Sequence, residues 1–125
     1  LKQYEPEIRN TVDVLSDSDW DAIHTGIRMG LKTKEFDGFP IEAAGKTGTA
    51  QEDLKRPNHA LFVGYAPYDN PEISIATRIA NGYTSHNAAE VSKKILAYYF
   101  KVEDADSLLN GQAENINATS NGVND

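Results

Sequence analysis

Two extended runs stand almost back to back in this chain. His59–Ala66 and residues 72–80 are separated only by Pro67-Tyr68-Asp69-Asn70-Pro71. A short link with Pro at both ends and Asp-Asn inside it is a turn. A parallel crossover needs about a dozen residues, so these runs can pair only as antiparallel strands. A third run, residues 41–51, reaches the first through residues 52–58, which is again too short for a crossover. The expectation is a three-strand antiparallel meander.

The middle run is apolar on both faces, which suits a central strand. The last alternates Ile73, Ile75, Thr77 and Ile79 with Ser74, Ala76, Arg78 and Ala80, as a half-covered strand does. Two helices flank the meander. Trp20, Ile23, Ile27 and Leu31 fall on one helical face, with Asp17 or Ser18 as the cap, Asp19 and Asp21 in the first turn and Gly30 as the terminator. A second helix is predicted from a cap at Ser85 or Asn87 to about Phe100. Its expected face is Ala88, Val91, Ile95 and Tyr98 or Tyr99, with Lys93, Lys94 and Lys101 towards its C-terminal half. Trp20 and the Tyr98-Tyr99-Phe100 cluster are assigned to the core. Residues 32–40 and 81–85 read as loops, and Ile8, Val12 and Val14 as a short extended segment. The fold class is α+β, an antiparallel sheet flanked by helices. Three strands need a helix on one face for stability, and the C-terminal helix is the candidate.

The periodicity stops after residue 101. Glu103, Asp104, Asp106, Glu114 and Asp125 lie among residues 102–125 without a Lys or Arg, so most of the net charge of -7 belongs to this stretch. It reads as a disordered acidic tail on a domain part at 1–101. Without it the charge is near neutral, which excludes a nucleic-acid footprint. No Cys is present, so disulfides and Cys-based metal sites are excluded. No apolar run reaches the roughly 18 residues that a spanning helix needs. The start at Leu1, without Met, is what a fragment or processed product has, and no signal peptide is visible.

The segment with chemical content is Gly45-Lys46-Thr47-Gly48-Thr49. As a phosphate loop it would need G-x-x-x-x-G-K-[ST], but position 40 is Pro and no helix starts after it. ATP binding lost in Lys46→Ala would revive that reading. A second reading is packing: small residues where strands lie close, beside a solvated Lys. A third is anion and oxyanion recognition. Lys supplies positive charge near a carboxylate, Thr hydroxyls supply donors, Gly admits a ligand to the backbone, and a backbone N–H stabilises an oxygen that becomes negative. K-T-G on a strand is a signature of penicillin-binding proteins and related β-lactamases. Strand alternation puts Lys46 and Gly48 on one face and Thr47 and Thr49 on the other.

The wider text, Ala43-Ala44-Gly45-Lys46-Thr47-Gly48-Thr49-Ala50-Gln51 followed by His59-Ala60-Leu61-Phe62-Val63-Gly64-Tyr65-Ala66-Pro67-Tyr68, resembles class B penicillin-binding proteins of the elongation type. Asp69-Asn70-Pro71-Glu72-Ile73-Ser74-Ile75-Ala76 and the upstream Trp20-Asp21-Ala22-Ile23-His24-Thr25-Gly26 extend the resemblance to roughly residues 8–100. It implies the C-terminal part of a β-lactamase-like transpeptidase fold in a peptidoglycan D,D-transpeptidase. Such an enzyme cross-links stem peptides ending in D-Ala-D-Ala through a serine acyl-enzyme and binds β-lactams. The resemblance gives Lys46 an electrostatic role and makes Thr47, Gly48 and Thr49 substrate-binding. The Thr49 backbone N–H becomes an oxyanion donor. It implies no cofactor, and it implies the rest of the transpeptidase domain as partner. It also implies an N-terminal anchor holding the enzyme at the extracytoplasmic face of a bacterial membrane.

The sequence departs from that pattern in one respect. No S-x-x-K occurs at any Ser, so the nucleophile and its base are not within these residues. Ser85-His86-Asn87 matches S-x-N, but in the family that motif precedes K-T-G, so helix capping is the reading here. The segment alone is expected to be inactive. The alternative function is a non-catalytic interaction module with the same fold. His24, His59 and His86 lack metal-ligand spacing and are read as structural, with no metal site. Arg78 either reaches a carboxylate or stays in solvent. Asn117-Ala118-Thr119 matches a glycosylation pattern given little weight in a bacterial-looking tail.

Overall fold

The computed structural model describes residues 7–32 and 34–104. Its elements run α1 (Asp17–Gly30), a 3-10 turn (Lys34–Phe36), β1 (Ala44–Ala50), β2 (His59–Ala66), β3 (Ile73–Ile79) and α2 (Ser85–Tyr99). The sheet order is β1-β2-β3 and both pairs are antiparallel, the expected meander. Residues from 105 onward, where most of the acidic stretch falls, lie outside the described residues.

The first strand starts later than its composition suggests. The Glu42 carbonyl accepts from the Tyr68 N–H at 2.7 Å, outside the ladder, so regular pairing begins only at Ala44. Residues 7–14 form no strand, and Ile8 and Val14 are fully open to solvent. Two Gly–Gly and aromatic contacts fix how closely the sheet packs. Gly45 pairs with Gly64, and the Phe62 ring lies over both. Phe62 itself is buried and stacks on Phe36 of the 3-10 turn.

Register sorts the sheet into two faces. Thr47, Thr49, Ala60, Phe62, Ala66, Ile75, Thr77 and Ile79 share one face by alternation across the paired strands. α2 covers this face and touches all three strands. Its buried residues are Ala88, Ala89, Ser92, Leu96 and Ala97. That corrects the expected face, since Val91, Ile95, Tyr98 and Tyr99 are exposed. The small residues let the helix lie close to the sheet, and the Ser92 hydroxyl bonds Thr77 Oγ1 at 2.8 Å across the contact. Phe100 alone of the aromatic cluster packs on the core.

α1 is placed differently. Its backbone lies along β1, His24 reaches Tyr65 of β2, and none of its residues is buried. Trp20 and Ile23 are therefore exposed rather than core, while Leu31, at the C-cap, is buried. The cap is Ser16, not Asp17 or Ser18. The Ser16 hydroxyl accepts from the Asp19 N–H while the Asp19 carboxylate accepts from the Ser16 N–H, a reciprocal capping box. The Ser16 hydroxyl also donates to the Asp19 carboxylate at 2.6 Å, and this bond first, with that from the Ser16 N–H second, holds the Asp19 carboxyl below its ordinary value of 3.8. No helix among the described residues is long and apolar enough to cross a membrane.

Candidate functional site

β1 is an edge strand among the described residues, so half of its backbone groups face away from β2. Which half follows from the glycines. A methyl added to Gly64 would lie 2.7 Å from the Ala44 carbonyl oxygen, so that carbonyl points at β2. Backbone direction alternates along a strand, so Gly45, Thr47 and Thr49 present their N–H and C=O to the free edge. Two observations agree. The Gly45 carbonyl faces Gly30 of α1, and Lys46 Nζ donates to the Thr47 carbonyl at 2.9 Å. The Thr49 N–H is thus turned outward, in the direction an oxyanion donor requires.

The side chains divide as alternation predicts. Lys46 is exposed on the face away from α2, and its ammonium reaches round to the edge through that bond to Thr47. Thr47 and Thr49 are half-buried on the α2 side. The Thr49 hydroxyl accepts from the Ser85 N–H at 3.1 Å. Lys46 and the two threonines therefore converge only at the strand edge.

The glycines of this region are not equivalent. A side chain at Gly45 would come within 2.8 Å of the buried Phe62 ring and 2.7 Å of the Val63 carbonyl. At Gly48 the nearest atom, in Leu61, is 3.6 Å away, an ordinary contact. Packing among the described residues accounts for Gly45 but makes no demand for glycine at 48.

The three histidines occupy separate places. His24 Nδ1 lies 2.6 Å from the Tyr65 hydroxyl, which burial, with Tyr68 adding to it, holds above its ordinary value. His86 Nδ1 lies 2.6 Å from Glu35 Oε1, tying the start of α2 to the 3-10 turn. His59 is buried. Its Nδ1 accepts from the Asn81 N–H at 3.0 Å, so the ring proton sits on Nε2 and is given to Glu52 Oε2 at 2.5 Å. Arg78 Nη2, 3.3 Å from the same nitrogen, then meets an N–H rather than a lone pair, and two donors form no hydrogen bond. Among the described residues no group of three or more His, Asp or Glu stands together as a metal site would require.

Sequence reasoning missed the Thr49–Ser85, His59–Asn81 and His24–Tyr65 contacts. They span 36, 22 and 41 residues, and no local pattern announces them. It also misread the capping. Ser85 and Asn87 do not cap α2: Thr84 holds the N-cap position, and Asn87 Nδ2 donates back to the Gly82 carbonyl at 2.8 Å. A cavity of about 520 Å³ lies between the end of α1 and the segment leading into β1, lined by Arg28, Phe36, Phe39, Ile41 and Glu42 among others. None of residues 46–49 lines it. Arg28 closes one side, paired with Glu42 and 5.0 Å from the centre of the Tyr68 ring.

The family described as penicillin binding protein transpeptidase domain matches residues 11–97. The peptidoglycan D,D-transpeptidase MrdA of Acinetobacter baumannii is 36% identical over 106 residues, 67% of this chain and 15% of that protein. MrdA of Haemophilus influenzae is 31% identical over 121 residues, 79% of this chain and 19% of that protein. Among solved structures, penicillin-binding protein 2B of Streptococcus pneumoniae superposes with a TM-score of 0.68 at 27% identity. That match covers 82% of this chain and 19% of the other. The chain spans less than a fifth of each of these proteins.

Proposed function

The chain belongs to the penicillin-binding protein transpeptidase family, and from that premise we propose that it is one wall of the active site of a peptidoglycan D,D-transpeptidase. Lys46, Thr47, Gly48 and Thr49 line that wall. The observation that carries the reading is the free edge of β1. There the Thr49 N–H points outward beside a glycine, Gly48, that packing among the described residues does not require. A ligand lying along this edge meets backbone without a Cβ in its path.

In this reading a serine outside these 125 residues attacks the carbonyl of the D-Ala-D-Ala peptide bond. Its Oγ–C bond forms first and puts negative charge on the carbonyl oxygen; the C–N bond then breaks, the terminal D-Ala leaves with the proton given up by the serine, and an amine of a neighbouring stem peptide later displaces the serine. The Thr49 N–H donates to the carbonyl oxygen while it carries negative charge. The Thr47 and Thr49 hydroxyls bind the terminal carboxylate, and the Lys46 ammonium supplies positive charge at the edge. A β-lactam, with a strained amide and a carboxylate, fits the same groups. The enzyme acts at the extracytoplasmic face of the bacterial membrane through an anchor elsewhere in the protein.

The test is covalent labelling by a fluorescent penicillin. The isolated 125 residues remain unlabelled. The same chain joined to an S-x-x-K segment in the complete protein is labelled, and Lys46→Ala or Thr49→Val slows that labelling by about tenfold or more. A complete protein that carries S-x-x-K and takes no label would overturn the reading. It would favour the non-catalytic module.

A further inference from the structure

α2 starts without help from its own sequence. Thr84 stands at the N-cap in extended conformation, its side chain makes no capping bond, and the first turn holds no acid. The first N–H groups of a helix have no partner within it. The Ser85 N–H finds one in another element: it donates to Thr49 Oγ1 in β1 at 3.1 Å. A hydroxyl carries one proton and two lone pairs. With one lone pair held by the amide, the rotamer of Thr49 is fixed, and its proton remains to be given elsewhere. Donation into the oxygen also strengthens the O–H as a donor, and the helix end adds positive partial charge on the same side.

We infer that Ser85 is a positioning residue of the carboxylate site: its backbone N–H holds the Thr49 hydroxyl as a proton donor to the substrate carboxylate. The inference rests on the reading of Thr49 given above, and it adds α2 to a site otherwise confined to β1. The Ser85-His86-Asn87 triplet then matters for a backbone amide rather than for its side chains.

The fold provides a selective probe. Ser85 is the first helical residue, where proline is best tolerated because its missing N–H is not needed by the helix. Thr84, with φ -128° and ψ 154°, already has the extended backbone that a following proline demands. Ser85→Pro therefore deletes the donor while suiting the local backbone. In the complete transpeptidase it slows acylation by a penicillin with a free carboxylate about three- to tenfold, the worth of one net hydrogen bond. It leaves acylation by the penicillin methyl ester unchanged. Ser85→Ala, which keeps the N–H, restores the rate, and in a Thr49→Val background the proline has no further effect.

Equal losses for acid and ester, or an undiminished proline effect on Thr49→Val, overturn the inference. If Thr49→Val slows acylation and Ser85→Pro does not, the inference falls and the reading of Thr49 stands. If Thr49→Val is without effect, both fall. Should Ser85→Pro fail to fold, amide exchange decides. The Ser85 N–H is protected in wild type and Thr49→Ser and fast in Thr49→Val; equal exchange in all three overturns the inference.

Discussion

Gly45 and Gly64 stand opposite each other in the β1–β2 ladder, and a methyl on either would lie 2.7 Å from a carbonyl oxygen of the other strand. The Phe62 ring closes the same space from the core side and is itself buried, so it cannot swing away. Gly45→Ala and Gly64→Ala each destabilise the chain by about 1–3 kcal/mol through overpacking. Gly48→Ala, with 3.6 Å to its nearest neighbour, changes stability by less than about 1 kcal/mol. Urea midpoints of the three variants separate them. In the complete protein Gly48→Ala slows acylation without a matching loss of stability, which distinguishes a ligand-facing glycine from a packing one.

The α1 capping box makes a pH prediction. Ser16→Ala removes the acceptor for the Asp19 N–H and costs about 1 kcal/mol, read from the unfolding midpoint. The Asp19 carboxyl is held below 3.8 in the folded chain by Ser16. A lowered folded value means that the carboxylate contributes stability above 3.8, lost as the pH falls through the folded value. Helical signal of α1 accordingly weakens at acid pH. Asp19→Asn removes that part of the pH dependence; an acid transition identical in the variant would count against it.

His59 carries its proton on Nε2, because the Asn81 N–H occupies Nδ1. Nitrogen NMR of the imidazole reports this tautomer directly. Glu52→Gln leaves it unchanged, since the amide at Asn81 still requires an acceptor on Nδ1. A proton found on Nδ1 in either protein rejects the assignment.

The buried face of α2 gives the fourth prediction. Leu96→Ala destabilises by about 2–5 kcal/mol, because Leu96 is 1% exposed within the core cluster. Ile95→Ala, at 45% exposure in a neighbouring position, loses far less. Comparable losses at both positions would return the helix to the face expected from its sequence.

These helices show how far sequence reading goes. The meander was legible because link length and alternation are local properties, and residues 67–71 leave the chain no other path. The K-T-G segment could be proposed from the sequence because its residues are contiguous. The buried face of α2 was not fully legible. Ala88 lay on the expected face, but beside it the sheet selects Ala89, Ser92, Leu96 and Ala97 over Val91 and Ile95, because the alanines and the serine permit close approach. For α1 the periodic apolar residues Trp20 and Ile23 were real, but the helix lies along β1 and reaches β2 through His24 and Tyr65, which leaves both apolar side chains exposed. The Ser16 cap was displaced by one residue from the expected Asp17, within the usual uncertainty of helix ends.

The strands lie in the sheet in the order in which they occur in the chain. Each pairing closes a loop of a few residues, so the entropy lost on closure is small and the contacts are local. α2 then folds back over the strands it has just followed. The stretch from Ala44 to Tyr99 can zip up along its own length, without a distant strand to nucleate it.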